Sequence, residues 1–123
     1  MSAMKILLVD DEQEFTGALA ERLELRGFQV QAVDNGEDAL QAVESDGPQV
    51  VVLDLKMPGL SGIEVLKRIK SLHPDLPVVL LTGYGSTEEG IKGMHLGAQD
   101  YLMKPLNIED LIAKLQEATG GGQ

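Results

Sequence analysis

The chain has 123 residues, no cysteine, no tryptophan, and ten Lys and Arg against twenty Asp and Glu, for a formal charge of −10. That length makes one domain with its own core. The missing cysteines exclude disulfides and zinc–thiolate sites and point to a reducing, cytoplasmic setting. The acidity repels phosphate backbones and anionic lipid heads, so direct nucleic acid binding and membrane association are not expected.

No apolar run approaches the roughly 20 residues of a membrane span, and with a first strand starting at Lys5 no signal peptide is expected. Short apolar runs alternate with helical patterns along the chain, which predicts repeated β-α units on a parallel sheet. Ile6-Leu7-Leu8-Val9 reads as a buried strand and is followed by Asp10 and Asp11. Phe15, Ala18, Leu19 and Leu23 then recur at helical spacing until Gly27. Phe28 to Val33 alternates apolar and polar, as an edge strand does. Ala39, Leu40 and Val43 line a second helix that Gly47-Pro48 ends.

The third strand, Val50-Val51-Val52-Leu53, is followed by Asp54. Ser61 and Glu64 have the spacing of a capping box, and Ile63, Leu66 and Ile69 give the third helix its buried face before His73-Pro74 closes it. Val78-Val79-Leu80-Leu81 is the fourth strand, followed by Thr82. Ser86 with Glu89 repeats the capping signal for a fourth helix. Tyr101-Leu102-Met103 is the fifth strand, followed by Lys104, and Asn107 caps a fifth helix with Ile108, Leu111, Ile112 and Leu115 on its apolar face.

The polar residues that follow these strands are the candidate site. Parallel strands would gather Asp10, Asp11, Asp54, Thr82 and Lys104 at one sheet edge, where ligands of such sheets bind. Crowded carboxylates need a counter-charge, which Lys104 supplies in part and a divalent cation would supply more fully. Magnesium fits, since it takes oxygen ligands and uses one or two carboxylates plus a phosphate. A carboxylate beside such a cation can also act as the acceptor of a phosphoryl group, forming an aspartyl phosphate.

Rival chemistries lack their parts. No Gly-rich phosphate loop followed by Lys and Ser or Thr is present, and Gly83-Tyr84-Gly85 lacks the third glycine of a dinucleotide fingerprint. Neither His73 nor His95 has metal or triad spacing, so both read as surface residues. A glycosidase-like carboxylate pair is a weak competitor in a chain that is 3% aromatic, because little is available to line a sugar cleft.

At these residues the chain resembles the receiver domain of two-component response regulators, the family that includes the bacterial chemotaxis regulator. Leu8-Val9-Asp10-Asp11, Asp54-Leu55-Lys56-Met57-Pro58-Gly59, Leu81-Thr82-Gly83 and Asp100-Tyr101-Leu102-Met103-Lys104-Pro105 occur in family order, and the likeness runs from Lys5 to about Ala118. The resemblance implies a flavodoxin-like, doubly wound five-stranded parallel sheet in the order 2-1-3-4-5 with five helices.

It further implies that Asp54 accepts the phosphoryl group from a sensor histidine kinase or phosphotransfer protein. Asp11 would ligate Mg2+ (or Mn2+) directly and Asp10 mainly through water, with Asp54 and the Lys56 carbonyl completing the protein's share. Lys104 would contact the phosphoryl oxygens, the Lys104-Pro105 bond would be cis, and Thr82 and Tyr101 would form the switch. A downstream protein or a covalently linked effector domain would read that switch through the fourth helix, the fifth strand and the fifth helix. The module is then a switch that catalyses its own phosphorylation and dephosphorylation, not a turnover enzyme.

The alternative, a small magnesium-dependent phosphatase with an aspartyl phosphate intermediate, usually has a second Asp two residues after its nucleophile; here that residue is Lys56. Receivers joined to winged-helix domains commonly dimerise through an acidic pair before the fifth strand and an arginine in the fifth helix. Gln99 and Lys114 depart from that pattern, so a monomer or weak dimer is expected. Residues 1–118 are read as the receiver domain and 119–123 as a flexible Gly-rich tail. Gly90 and Gly93 make the fourth helix the weakest expected, at about 1 kcal/mol for each interior glycine relative to Ala.

Overall fold

The computed structural model describes residues 3–83 and 87–120. Five strands and five helices alternate: β1 (Lys5–Val9), α1 (Gln13–Glu24), β2 (Gln29–Val33), α2 (Gly36–Asp46), β3 (Val50–Asp54), α3 (Gly62–Leu72), β4 (Val78–Thr82), α4 (Thr87–His95), β5 (Asp100–Met103) and α5 (Ile108–Thr119). The strands form one sheet in the order β2-β1-β3-β4-β5, every pair parallel. This is the doubly wound, flavodoxin-like arrangement that the family resemblance implies.

The pleat divides the strand residues between two cores, because successive side chains point to opposite faces. Leu7, Val9, Val51, Leu53, Val78 and Leu80 meet Ala39, Ala42 and Val43 of α2 and Val65, Leu66 and Ile69 of α3. Ile6, Leu8, Val50, Val52, Val79 and Leu81 meet Leu19 and Leu23 of α1 and Ile108, Leu111 and Leu115 of α5. Burial on both faces explains the unbroken apolar runs of β1, β3 and β4, whereas β2 at the edge keeps its alternation.

Helix ends are set locally. Asn35, Ser61 and Asn107 each accept a bond from the backbone N–H three residues on, satisfying one of the free donors of a first turn. At Ser61 only this half of the expected capping box forms among the described contacts. Gly47 ends α2 with φ 58°, left-handed backbone that favours glycine. Ala18, expected on the buried stripe of α1, is exposed, and the stripe consists of Thr16, Leu19 and Leu23. Thr16 belongs there because its hydroxyl donates back to the Glu12 carbonyl at 2.9 Å. Helix α5 runs through Thr119, one residue past the expected domain boundary, and Gly120 caps it with φ 70°. Ser86, Tyr84, Gly85 and the tail residues Gly121 to Gln123 lie outside the described residues.

Candidate functional site

Asp54 is the last residue of β3, Thr82 the last of β4, Asp10 follows β1 and Lys104 follows β5. Parallel register brings these ends to one edge. Parity along the strands then sorts them: Asp54 continues the face of Val50 and Val52, and Asp10 that of Ile6 and Leu8, so both lean toward α1 and α5. Thr82 and Tyr101 share the opposite face, where Tyr101 packs on the other core.

Lys104 binds the acids together. Its ammonium donates to Asp10 Oδ2 at 2.7 Å and to Glu12 Oε1 at 2.6 Å, and stands 3.6 Å from Asp54 Oδ2. It also lies 4.5 Å from the centre of the Phe15 ring on α1, a favourable cation–π placement. Burial works to lower its pKa, but the hydrogen bonds it donates to Asp10 and Glu12 outweigh this and hold the lysine charged. Asp10 is 1% exposed and Asp54 4%. Both carboxylates are turned back onto their own backbone: Asp10 Oδ1 accepts from Glu12 N at 2.9 Å, and Asp54 Oδ1 from Lys56 N at 3.1 Å.

Asp54 is the strained member. Burial pushes its carboxyl up to about 6; the bond from Lys56 N–H works against this, the Asp10 charge adds to it, and Lys104 partly offsets it. An acid held out of water beside a second acid gains most from added positive charge. Oxygens of Asp10, Glu12 and Asp54 lie within 4.8 Å of one another. Hard carboxylate oxygens at this spacing, two of them buried, fit a divalent cation.

Of the residues predicted from sequence, the structure therefore brings together Asp10, Asp54 and Lys104. Asp11 is exposed and stands outside the three-carboxylate group, in which Glu12 is the third member. The Lys56 side chain is exposed and its N–H is committed to Asp54. Thr82 is fully buried, and among the described residues its hydroxyl has only a long 3.5 Å approach to the Leu102 carbonyl. Tyr101 is half-buried against α4. The Lys104-Pro105 bond is cis.

Glu12 and Phe15 are the contacts missed by reading strand ends alone. The signal for Glu12 was a third acid directly after Asp10-Asp11, at a helix start where its side chain makes no capping bond. Gly62 was missed as well. A Cβ on it would lie 2.5 Å from both the Asp54 carbonyl oxygen and Leu55 Cα, so only glycine lets α3 begin against the end of β3. Its position eight residues beyond Asp54 carries no periodic signal.

Comparison with known proteins gives the same class of molecule. The family model described as "Response regulator receiver domain" matches residues 6–116. Response regulator MprA of Mycolicibacterium vanbaalenii is 39% identical over 113 residues, 92% of this chain and 49% of that protein. The uncharacterized transcriptional regulatory protein YkoG of Bacillus subtilis is 40% identical over 113 residues, 92% of this chain and 50% of that protein. The chain thus spans about half the length of the curated relatives it matches.

Among solved structures, the receiver domain of NtrX from Brucella abortus superposes with TM-score 0.89 at 33% identity, over 94% of this chain and 98% of that one. A response regulator receiver domain protein from Clostridium thermocellum gives TM-score 0.91 at 34% identity, over 95% and 94%. The chain belongs to the response regulator receiver domain family, and its acidic cluster fits the phosphorylation site of such a domain.

Proposed function

We propose that this chain is the phosphoacceptor module of a two-component phosphorelay, taking a phosphoryl group on Asp54 from a sensor histidine kinase or phosphotransfer protein. The observation that carries this reading is Asp54 itself: a carboxylate 4% exposed, raised to about 6, between Asp10 and Lys104 at the carboxyl edge of a receiver sheet.

In the reaction an Asp54 carboxylate oxygen attacks phosphorus, the new P–O bond forms, and the P–N bond of phosphohistidine breaks with its electron pair leaving on the imidazole. Asp10 and Asp54, joined by Asp11 and the Lys56 carbonyl, would hold Mg2+ (or Mn2+), which when bound neutralises charge as two anions approach. Lys104 is placed to pair with phosphoryl oxygens once it leaves its carboxylate partners. Thr82 has little to lose by turning its hydroxyl toward the same group, since its present contact is long. Tyr101 would then take up the space.

The readout face is α4, β5 and α5. Ile91 and Met94 on α4 and Met103 on β5 are exposed large apolar side chains, suited to a downstream protein or a linked effector domain. Lys114 pairs with Asp100 of its own chain at 2.8 Å, a bond that occupies both groups and supports a monomer or weak dimer. Residues 1–118 act as the receiver domain, whose last helix continues through Thr119, and the Gly-rich residues that follow to 123 act as a tail. No helix among the described residues is long and apolar enough to cross a membrane, in keeping with a cytoplasmic partner.

Intact mass after incubation with a small phosphodonor and Mg2+ tests the reading. One phosphoryl adduct per chain is expected for wild type and none for Asp54→Ala. An adduct surviving that substitution overturns the assignment of Asp54, and continuing turnover of small phosphate esters would favour the phosphatase.

A further inference from the structure

Lys104 makes two charge-assisted hydrogen bonds in this structure, and one of the two partners makes no other side-chain hydrogen bond among the described residues. Asp10 is buried and belongs to the carboxylate pair at the heart of the site. Glu12 is different: its side chain is 63% exposed, it stands at the N-cap of α1 without capping the helix, and its carboxylate reaches Lys104 Nζ at 2.6 Å. The Phe15 ring, one turn further along the same helix, has its centre 4.5 Å from the ammonium. Together, Asp10 and two groups from the start of α1 hold the ammonium 3.6 Å from Asp54, beyond hydrogen-bond length.

We propose that Glu12 is a positioning residue that holds Lys104 back from Asp54 in the resting protein and so sets how readily the site is phosphorylated. This rests on Asp54 being the acceptor. For Lys104 to meet an incoming phosphoryl group it must give up the Glu12 bond, an exchange of one charge-assisted bond for another. The closer and better oriented the Glu12 carboxylate, the more of the lysine's attraction to the phosphoryl group is cancelled. The hold is assigned to Glu12 and not to Asp10 because Asp10 is buried and among the residues that would hold the cation, whereas Glu12, within reach of the same cation, is exposed at the rim and outside that set. The side chain's length matters: Asp at this position would keep the charge but fall about one methylene short of the ammonium.

Glu12→Gln and Glu12→Asp separate contact from charge. In the cation-free proteins, the 1H–15N signal of the Lys104 ammonium is visible while its protons are held from exchange with water. It is expected to weaken or vanish in both variants. At saturating Mg2+, both variants are expected to take up phosphoryl groups from a small phosphodonor several-fold faster than wild type, read by intact mass. If Glu12→Asp matches wild type while Glu12→Gln is faster, the effect is one of field alone and the positioning role is overturned. It is equally overturned if neither variant is faster or if the Lys104 signal is unchanged. Should no protein gain mass, the acceptor reading fails on its own Asp54→Ala comparison, and the cation-free ammonium signal still decides whether Glu12 holds Lys104.

Discussion

Gly90 of α4 faces the Tyr101 ring of β5 so closely that a Cβ on the glycine would stand 2.9 Å from the ring's Cδ2. The two glycines inside α4 are thus sites of close approach. At Gly93 the added carbon would overlap the buried Leu80 side chain outright. Two effects oppose each other on substitution: Ala gains about 1 kcal/mol of helix propensity, while overpacking a filled core costs about 1–3 kcal/mol. Gly93→Ala, against Leu80 in the core, is expected to lose stability. Gly90→Ala meets a half-buried ring free to swing aside, so its stability should stay within about 1 kcal/mol of wild type while Tyr101 changes rotamer. Urea denaturation and Tyr101 ring NMR signals check both; a Gly93→Ala protein more stable than wild type would show that the Leu80 contact is loose.

Those glycines mark the limit of what the sequence makes legible. Strand positions, a parallel sheet and the gathering of Asp10, Asp54 and Lys104 were readable because apolar runs and β-α alternation are local, periodic signals, whereas the order of the strands came from the family resemblance. The prediction of a weak α4 rested on propensity and did not see that Tyr101 and Leu80 occupy the space a side chain would need. Ala18 was misplaced because apolar character was taken for burial, when the neighbouring Thr16 could bury itself by bonding its own helix. Glu12 was passed over because its partner lies 92 residues away.

Gly62 presents a more severe version of the same constraint, since a Cβ there meets backbone at 2.5 Å and backbone cannot rotate away. Gly62→Ala is expected to cost about 2 kcal/mol or more and to slow phosphoryl uptake, because the displaced segment carries Asp54. Equilibrium unfolding and intact-mass kinetics test this pair of effects. Unchanged kinetics in a destabilised protein would show that α3 moves and β3 does not.

The raised Asp54 carboxyl makes stability pH-dependent, and the sign follows from proton counting. With a folded pKa of about 6 against an ordinary aspartate value of 3.8, the folded protein binds more protons than the unfolded chain in the interval between them. Stability contributed by Asp54 therefore falls as pH rises from about 4 toward 6 and is flat above. Asp54→Asn removes this component, so cation-free Asp54→Asn should be the more stable protein at pH 7, with the advantage shrinking toward pH 4. Melting temperatures of the two proteins across that range decide it; a difference independent of pH would mean that Asp54 is not held above its ordinary range.

Cation binding should reverse the same penalty. A ligand that binds only the folded state stabilises it by mass action, about 2.7 kcal/mol at a hundredfold excess over Kd. Mg2+ is therefore expected to raise the melting temperature of wild type by several degrees, and the rise should be lost in Asp10→Asn and Asp54→Asn. Asp11 and Glu12 then separate two roles. Asp11→Asn, at an exposed position, should leave cation-free stability nearly unchanged and remove most of the rise if this residue ligates directly. Glu12→Gln should keep the rise, because the side chains assigned to the cation are Asp10, Asp11 and Asp54. A Glu12→Gln protein indifferent to Mg2+, beside an Asp11→Asn protein that still responds, would exchange those assignments and make the third member of the observed carboxylate group a ligand in its own right.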